Sequence, residues 1–227
     1  MIARATPLAP RIIELVGPAG AGKTTVLGSL TRRDPRIRAE IAVARFDNAT
    51  ALAPRALTMV PVALDLALRA PRFLWDNARH IARLEGLDAV VRAPLIASDT
   101  VLALSEGPLF LLTRLLLAAE RFPTTSSWFH RLWDETVTRW NGRLDMVVWL
   151  DAPDAVLVDR IRSRSKAHRM KTAGEDVLRQ FLTDYRRGFH RVLAACPPVR
   201  YLRLDSTRGS PEHLAETILA EVDGAAA

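Results

Sequence analysis

A phosphate-binding loop is the first stretch of this sequence whose residue types and spacing could do chemistry. Residues 17–24 read Gly-Pro-Ala-Gly-Ala-Gly-Lys-Thr, which fits the pattern Gly-x-x-x-x-Gly-Lys-Ser/Thr at every fixed position. The glycines of such a loop let backbone N–H groups surround an anion, the lysine neutralises the β- and γ-phosphates, and the hydroxyl after it ligates Mg²⁺. We therefore predict that ATP and Mg²⁺ bind here, with Lys23 at the phosphates and Thr24 at the metal. The predicted nucleotide-binding residues are Gly17, Pro18, Ala19, Gly20, Ala21, Gly22, Lys23, Thr24 and Thr25.

Two acidic residues are candidates for metal binding or proton transfer. Glu106 follows the apolar run Val101–Ser105, and we interpret it as a ligand of Mg²⁺ or as a base. Asp47 follows the run Ala39–Phe46 and could accept a proton from a substrate hydroxyl, although Asp47-Asn48 is also an ordinary turn and helix-cap pair. The sequence leaves open which of the two is the base.

A third acidic position and an arginine-rich segment follow later in the chain. Asp151 ends a hydrophobic run, but Ala-Pro-Asp comes next and opens a helix, so a helix cap explains Asp151 or Asp154 better than a metal ligand does. Residues 160–172 are rich in arginine, and we predict a lid that stabilises the transferred phosphoryl group through Arg160, Arg164 and Arg169. A solvated basic helix face and a nucleic-acid patch are the alternatives.

Five strand candidates, each followed by a helical pattern, must position these residues. This alternation favours a parallel sheet with helices on both faces, a three-layer α/β/α architecture with ligands at the carboxyl ends of the strands. The candidates are Arg11–Val16, Ala39–Phe46, Thr100–Ser105, Asp145–Leu150 and Val199–Leu204.

Residues 48–99 are too long for a simple crossover between the second and third strands. Helical patterns near Pro54–Arg69 and Arg72–Leu84 predict a helical insertion that binds the acceptor, with Phe73 and Trp75 either lining a pocket or packing against the core. We treat residues 1–227 as one domain, because this length and 49% hydrophobic content suit one sizeable core.

The composition of the sequence indicates which ligands and which cellular environment suit this protein. The formal net charge is +7 and the isoelectric point is near 10.6, which favours anionic ligands, nucleotides and nucleic acid alike. The apolar region Val101–Ala119 is interrupted by charged residues and by Gly107-Pro108, so we expect no membrane span, and no signal peptide is visible. One cysteine excludes an internal disulfide framework, and we expect a cytoplasmic protein.

Taken together, these motifs resemble the deoxynucleoside kinase and thymidylate kinase group over about residues 11–222. The order that carries the resemblance is the phosphate loop, the strand-end Asp47, Ser105-Glu106, and Asp151-Ala152-Pro153 leading into the basic segment. The resemblance implies that Asp47 faces the acceptor, that Glu106 serves metal or phosphate, and that arginines 160, 164 and 169 clamp phosphates. The group usually has arginine after its third-strand acidic residue, whereas Gly107 stands here.

The function predicted from the sequence is an ATP-dependent kinase that phosphorylates a small molecule, with a nucleoside or nucleotide as the first choice. Another hydroxylated metabolite or an antibiotic is the alternative acceptor. A GTPase switch is disfavoured because no Asn-Lys-x-Asp segment reads guanine. A nucleic-acid-dependent ATPase is kept as an alternative of another class, although we expect no nucleic-acid partner. The sequence leaves a homodimer open.

Overall fold

A five-stranded parallel sheet organises the chain. The computed structural model describes residues 11–39, 63–91, 100–122, 125–165 and 170–224. Its strand order is β2-β3-β1-β4-β5, and every pair in it is parallel. The strands are β1 (Arg11–Val16), β2 (Ile37–Ala39), β3 (Val101–Leu104), β4 (Met146–Asp151) and β5 (Arg200–Asp205).

Seven helices surround this sheet within the described residues, and residues 63–69 are helical as well. The helices are α1 (Lys23–Arg33), α2 (Pro71–Val91), α3 (Pro108–Ala119), α4 (Ser126–Trp140), α5 (Asp154–Ser163), α6 (Glu175–Ala195) and α7 (Pro211–Asp223). No helix in these ranges is both long enough and apolar enough to cross a membrane.

Alternate residues of β1 face two hydrophobic cores, one on each side of the sheet, so the sheet lies between two layers of helices. Ile12 and Val16 pack with residues of α2, α3 and α4. Ile13 and Leu15 pack on the other face with residues of α1, α5 and α7. A strand buried on both faces reads as a nearly continuous apolar run, and Glu14 is the one interruption within Ile12–Val16. The predicted α/β/α architecture is confirmed.

The strand bounds agree with the sequence patterns except at β2. Strands β1, β3, β4 and β5 lie within one residue of their predicted ends. The structure places β2 at Ile37–Ala39, earlier than the predicted run Ala39–Phe46, and residues 40–46 lie outside the described ranges. The side chain of Asp34 accepts hydrogen bonds from the backbone N–H and the guanidinium of Arg36. Because of this turn, the pairing with β3 begins at Ile37, opposite Val101, two residues before the predicted start of the strand.

A buried acidic side chain of β1 joins the sheet to α3. Glu14 is 0% exposed, and its carboxyl oxygens accept hydrogen bonds from the backbone N–H groups of Leu109 (3.1 Å) and Phe110 (2.9 Å). These two donors belong to the first turn of α3, where no helical carbonyl can pair with them. Glu14 therefore caps the N-terminus of α3 from the neighbouring strand β1.

Gly107 makes room for this contact. A Cβ atom at Gly107 would lie 2.6 Å from the Cδ of Glu14 and 2.8 and 2.9 Å from its two oxygens. The backbone of Gly107 (φ −80°, ψ −167°) is open to any residue, so the requirement for glycine here is steric. The Gly107 that departs from the pattern of the kinase group is thus explained by the buried Glu14.

Gly107→Ala is expected to lower the free energy of unfolding by about 1–3 kcal/mol, the usual cost of an overpacked buried site. Gly174→Ala is the matched control, because Gly174 also precedes a helix as its N-cap but a Cβ there would meet nothing within 4 Å. Urea unfolding of both variants measures the difference. Equal losses in the two variants would show that the cost comes from the cap position and not from contact with Glu14.

Candidate functional site

The phosphate loop has the backbone that its glycines predict. Gly17, Gly20 and Gly22 have φ angles of 144°, 86° and 90°, a region that residues with a side chain rarely adopt. At Gly17 a Cβ atom would also lie 1.9 Å from the carbonyl oxygen of Leu150. The loop ends at Gly22, the N-cap of α1, so the unpaired amides of the helix start add to those of the loop as an anion-binding site.

Lys23 is the first residue of α1, and its amine lies inside the loop. The Nζ atom donates hydrogen bonds to the carbonyl oxygens of Gly17 (2.5 Å) and Pro18 (2.9 Å). Burial is the largest cause that lowers the pKa of this amine from its usual 10.5 to about 8; Arg164 contributes to the lowering, while Glu106 and Asp151 partly oppose it. Thr24 and Thr25 are exposed beside it.

One cleft of about 640 Å³ opens over the loop. It brings together residues that follow β3 and β5 and residues of α3, α5, α6 and α7, although these are far apart in the sequence. Besides residues 19–26, its lining includes Ser105, Glu106, Phe110, Arg114, Arg160, Arg164, Phe181, Tyr185, Ser206, Gly209, Pro211 and Leu214. Among the predicted site residues, the structure brings Lys23, Thr24, Glu106, Arg160 and Arg164 together along this cleft.

Glu106 enters this cleft from the end of β3, the strand beside β1. Its carboxyl oxygen Oε2 lies 2.6 Å from Nη1 of Arg83, which belongs to α2, and its side chain is 42% exposed. Helix α2 of the insertion thus holds the candidate metal ligand. No group of three or more histidine, cysteine or acidic side chains within the described ranges could hold a metal by itself. Thr24 and Glu106 suit Mg²⁺, which commonly takes one or two protein ligands together with substrate phosphates and water.

The arginines of the predicted lid have different surroundings. Arg160 lies within α5, and its guanidinium donates to the carbonyl oxygen of Gly20 (3.3 Å) and to the hydroxyl of Ser206 (2.8 Å). In this arrangement it links the phosphate loop to the segment after β5. Arg164 follows the end of α5 and lines the cleft. Arg169, like Asp47, lies outside the described residues.

Asp151 is engaged in an ion pair and caps no helix. Both of its oxygens accept from Arg186 of α6, with Nε–Oδ2 and Nη2–Oδ1 distances of 2.9 and 3.0 Å. Asp154 accepts from the same guanidinium at 2.7 Å. The N-cap of α5 is Pro153, without a side-chain cap hydrogen bond, so the cap interpretation of Asp151 and Asp154 is wrong. A bidentate arginine is a stronger partner for these carboxylates than a single amide.

A second cavity of about 380 Å³ adjoins the first. It lies between α2, α3 and α6, and the two cavities share the residues Arg114, Phe181 and Tyr185. Its lining comprises Asp76, Asn77, Arg114, Leu117, Ala118, Arg121, Phe122, Phe181, Asp184 and Tyr185.

The two aromatic residues proposed for the insertion do not line this second cavity. Phe73 is buried in the core, edge-to-face with Phe122 and Trp128, and Trp75 is 88% exposed. The same helix instead contributes its neighbours Asp76 and Asn77.

Sequence reasoning missed Glu14, Arg114 and Arg186. Arg114 carried a usable signal, because it is the one charged residue in the apolar run 107–119. A charge within an apolar helix is often retained for a site. Glu14 gave a similar signal inside β1. Arg186 gave none, because α6 contains many arginines and only the packing selects this one.

Kinases of known structure have the same fold. Deoxyadenosine kinase from M. mycoides with bound dCTP aligns with a TM-score of 0.59 at 13% identity, covering 94% of this chain and 99% of the kinase. The same enzyme with bound dCMP and dCDP aligns with a TM-score of 0.56 at 15% identity, covering 94% of this chain and 99% of the kinase. Shikimate kinase from Acinetobacter baumannii in complex with shikimate aligns with a TM-score of 0.50 at 19% identity, covering 95% of this chain and 94% of the kinase.

These likenesses show that the chain has the fold of the P-loop kinases over nearly its whole length. The predicted resemblance is therefore confirmed at the level of the fold. No protein-family model and no curated protein sequence matches the chain.

The lowered pKa of Lys23 predicts proton uptake on nucleotide binding. Above pH 8 the free amine is mostly neutral, and a bound triphosphate favours its charged form, so binding must bring a proton with it. The affinity for Mg²⁺-ATP should then weaken by up to about tenfold per pH unit above pH 8, the limit for one proton. Titration calorimetry at pH 8.5 in two buffers of different ionisation enthalpy measures the uptake.

Lys23→Arg is the matched control for this measurement, because a guanidinium stays charged throughout this pH range. It should bind Mg²⁺-ATP without proton uptake. Uptake of the same size in both proteins would assign the proton to another group.

Proposed function

We propose that this protein is an ATP-dependent kinase that transfers the γ-phosphoryl group to a small-molecule acceptor, with a nucleoside or nucleotide as the first acceptor class. The observation that carries the proposal is the shared wall of the two cavities. The phosphate loop lines only the first cavity, and Arg114, Phe181 and Tyr185 separate it from a second cavity of a size suited to a small molecule. Such a wall is where a phosphoryl group would pass from donor to acceptor.

The donor is ATP in this proposal. The loop amides and the amine of Lys23 surround its phosphates, and Arg164 adds positive charge at the rim of the cleft. Thr24 and Glu106 would hold Mg²⁺, which neutralises charge on the β- and γ-phosphates when it is bound. Arg83 holds the carboxyl group of Glu106, which lines the cleft and would serve either as a ligand or as the base.

The acceptor occupies the second cavity. Phe181 and Tyr185 offer ring surfaces there, and Asn77 is buried with its amide nitrogen donating to the carbonyl of Phe73 (2.9 Å), which fixes the orientation of the amide. Aromatic walls with a few fixed polar groups suit a planar ring such as a nucleobase. The acceptor hydroxyl would then lie toward the shared wall, and Glu106 or Asp47 would take its proton.

The alternative acceptor is another hydroxylated metabolite or an antibiotic. The fold carries both kinds of substrate, because one similar kinase is described with deoxynucleotides and another with shikimate. A nucleic-acid-dependent ATPase draws its support from the net charge of +7 alone. A homodimer and a cytoplasmic location remain predictions from the sequence.

Incubation with Mg²⁺-ATP and a library of nucleosides, nucleotides and other hydroxylated compounds tests the proposal. Mass spectrometry should find a product that is one phosphoryl group heavier. Lys23→Ala should abolish this product without lowering the melting temperature, because the lysine serves the triphosphate and not the fold. Arg33→Ala, which removes a positive charge from the far end of the same helix, is the control and should keep the activity.

Product formation by Lys23→Ala at the rate of the unmodified protein would contradict the role of the loop. ATP hydrolysis stimulated by DNA or RNA in a salt-dependent manner, with no phosphorylated small molecule, would favour the other class of function.

Glu106→Gln is expected to lower turnover by about 100-fold or more, the usual contribution of a positioned acid–base group. If Glu106 also ligates the metal, replacing Mg²⁺ with Mn²⁺ should change the size of the loss. Steady-state rates of Glu106→Gln and Asp47→Asn, each with both metals, make the comparison. A larger and metal-independent loss in Asp47→Asn would assign the base to Asp47 and leave Glu106 as a partner of Arg83.

A further inference from the structure

The wall between the two cavities contains a single charged residue. Among the described residues, Arg114, Phe181 and Tyr185 line both cavities, and only the first of them is charged. The inference that follows rests on the proposed function, because it concerns what happens at this wall during phosphoryl transfer.

One stripe of α3 runs from the first cavity into the second. Phe110 lines the first cavity, Arg114 lines both one turn later, and Leu117 and Ala118 line the second. This spacing of four, then three or four residues places all of these side chains on one face of the helix. The N-terminal end of the stripe is held in place, since Glu14 accepts the N–H groups of Leu109 and Phe110. Arg114 therefore extends from a helix whose start is fixed to the strand of the phosphate loop.

Arg114 is half-buried, and its charge acts on two buried neighbours. Burial raises the pKa of the Tyr185 phenol well above its usual value, and Arg114 partly opposes this rise. Burial lowers the pKa of His80 to about 4, and Arg114 is the next largest cause. Both neighbours are therefore neutral near pH 7. Where water is scarce, a fixed positive charge stabilises a developing negative charge more strongly than it could at an exposed surface.

We propose that Arg114 is a catalytic residue, a cation that donates hydrogen bonds to the oxygens of the phosphoryl group as it crosses from ATP to the acceptor. In this step the bond between the acceptor oxygen and the γ-phosphorus forms as the bond between that phosphorus and the β,γ-bridging oxygen breaks. The proton of the acceptor hydroxyl goes to Glu106 or Asp47, and ADP leaves with the electron pair. Arg114 keeps its proton throughout and stabilises the charge on the transferred group.

This assignment also accounts for a departure in the sequence. At the position after Glu106, where the kinase group usually has arginine, a side chain would displace the carboxyl group of Glu14. Arg114 supplies a cation to the same cleft from two turns further along α3.

The first measurement does not require a known acceptor. Aluminium fluoride with Mg²⁺-ADP mimics a phosphoryl group in transfer, so it should tighten ADP binding to the unmodified protein. Arg114→Gln, which keeps most of the side-chain volume, should bind Mg²⁺-ADP alone within about twofold of the unmodified affinity but lose most of the tightening. Arg191→Ala is the control. Arg191 of α6 forms an ion pair with Glu120, which directly follows α3, with an Nη1–Oε1 distance of 2.5 Å, and Arg191 lines neither of the two cavities. It should keep the tightening in full.

The second measurement uses the acceptor found in the library. Arg114→Ala should lower the single-turnover rate by at least about 100-fold, a modest share of what arginine contributes to phosphoryl transfer elsewhere. Added guanidinium chloride at millimolar concentration should restore part of the rate, which a purely structural role of Arg114 would not allow.

The possible failures are distinguishable. Full tightening by aluminium fluoride in Arg114→Gln, or a single-turnover rate within threefold of the unmodified protein in Arg114→Ala, would overturn the assignment of Arg114 and leave the kinase proposal intact. An unmodified protein that shows neither tightening nor any phosphorylated product would overturn both proposals together.

Discussion

Two hydrogen bonds from the start of α3 to the buried Glu14 fix the geometry on which the site depends. The strand that carries Glu14 leads directly into the phosphate loop, and the helix that donates to it carries Phe110 and Arg114 into the cleft. One contact therefore joins the two walls of the site. Buried backbone N–H groups need partners, so this arrangement cannot relax without leaving donors unpaired. The absence of a side chain at Gly107 is what makes the contact possible.

The charges around the cleft divide into two groups. Arg83 and Arg186 pair with the acidic residues at the ends of β3 and β4. Without Arg186, the carboxyl group of Asp151, which is close enough to affect the pKa of Lys23, would repel a triphosphate. Arg114 and Arg164 instead line the cleft itself. Neutralised carboxylates at the strand ends combined with cations on the walls produce a site suited to an anionic ligand.

The fold could be predicted from the sequence to a large extent because buried parallel strands are short apolar runs with clear ends. Strands β3 and β4 have this form, and β1 has it apart from Glu14. The edge strand β5 has no buried residue, yet the bounds of all four strands agree with the predicted runs to within one residue. Strand β2 does not, because only Ile37 of its three residues is buried and a side-chain turn at Asp34 sets its start. The cap interpretation of Asp151 failed for a related reason. A local pattern cannot reveal a partner such as Arg186, 35 residues later in the chain.

The sequence by itself determined the phosphate loop, since the positive φ angles of its glycines and the helix start at Lys23 are local properties of eight consecutive residues. It also placed Glu106 at the carboxyl end of a predicted strand, the edge of a parallel sheet where ligands bind, whereas the pairing of β3 with β1 that brings Glu106 beside the loop is tertiary. Only the tertiary structure decided which residues form the second cavity and the wall between the cavities. Those residues come from three helices that meet through packing, and their faces depend on contacts such as the one between Glu14 and α3, which join residues about 95 positions apart.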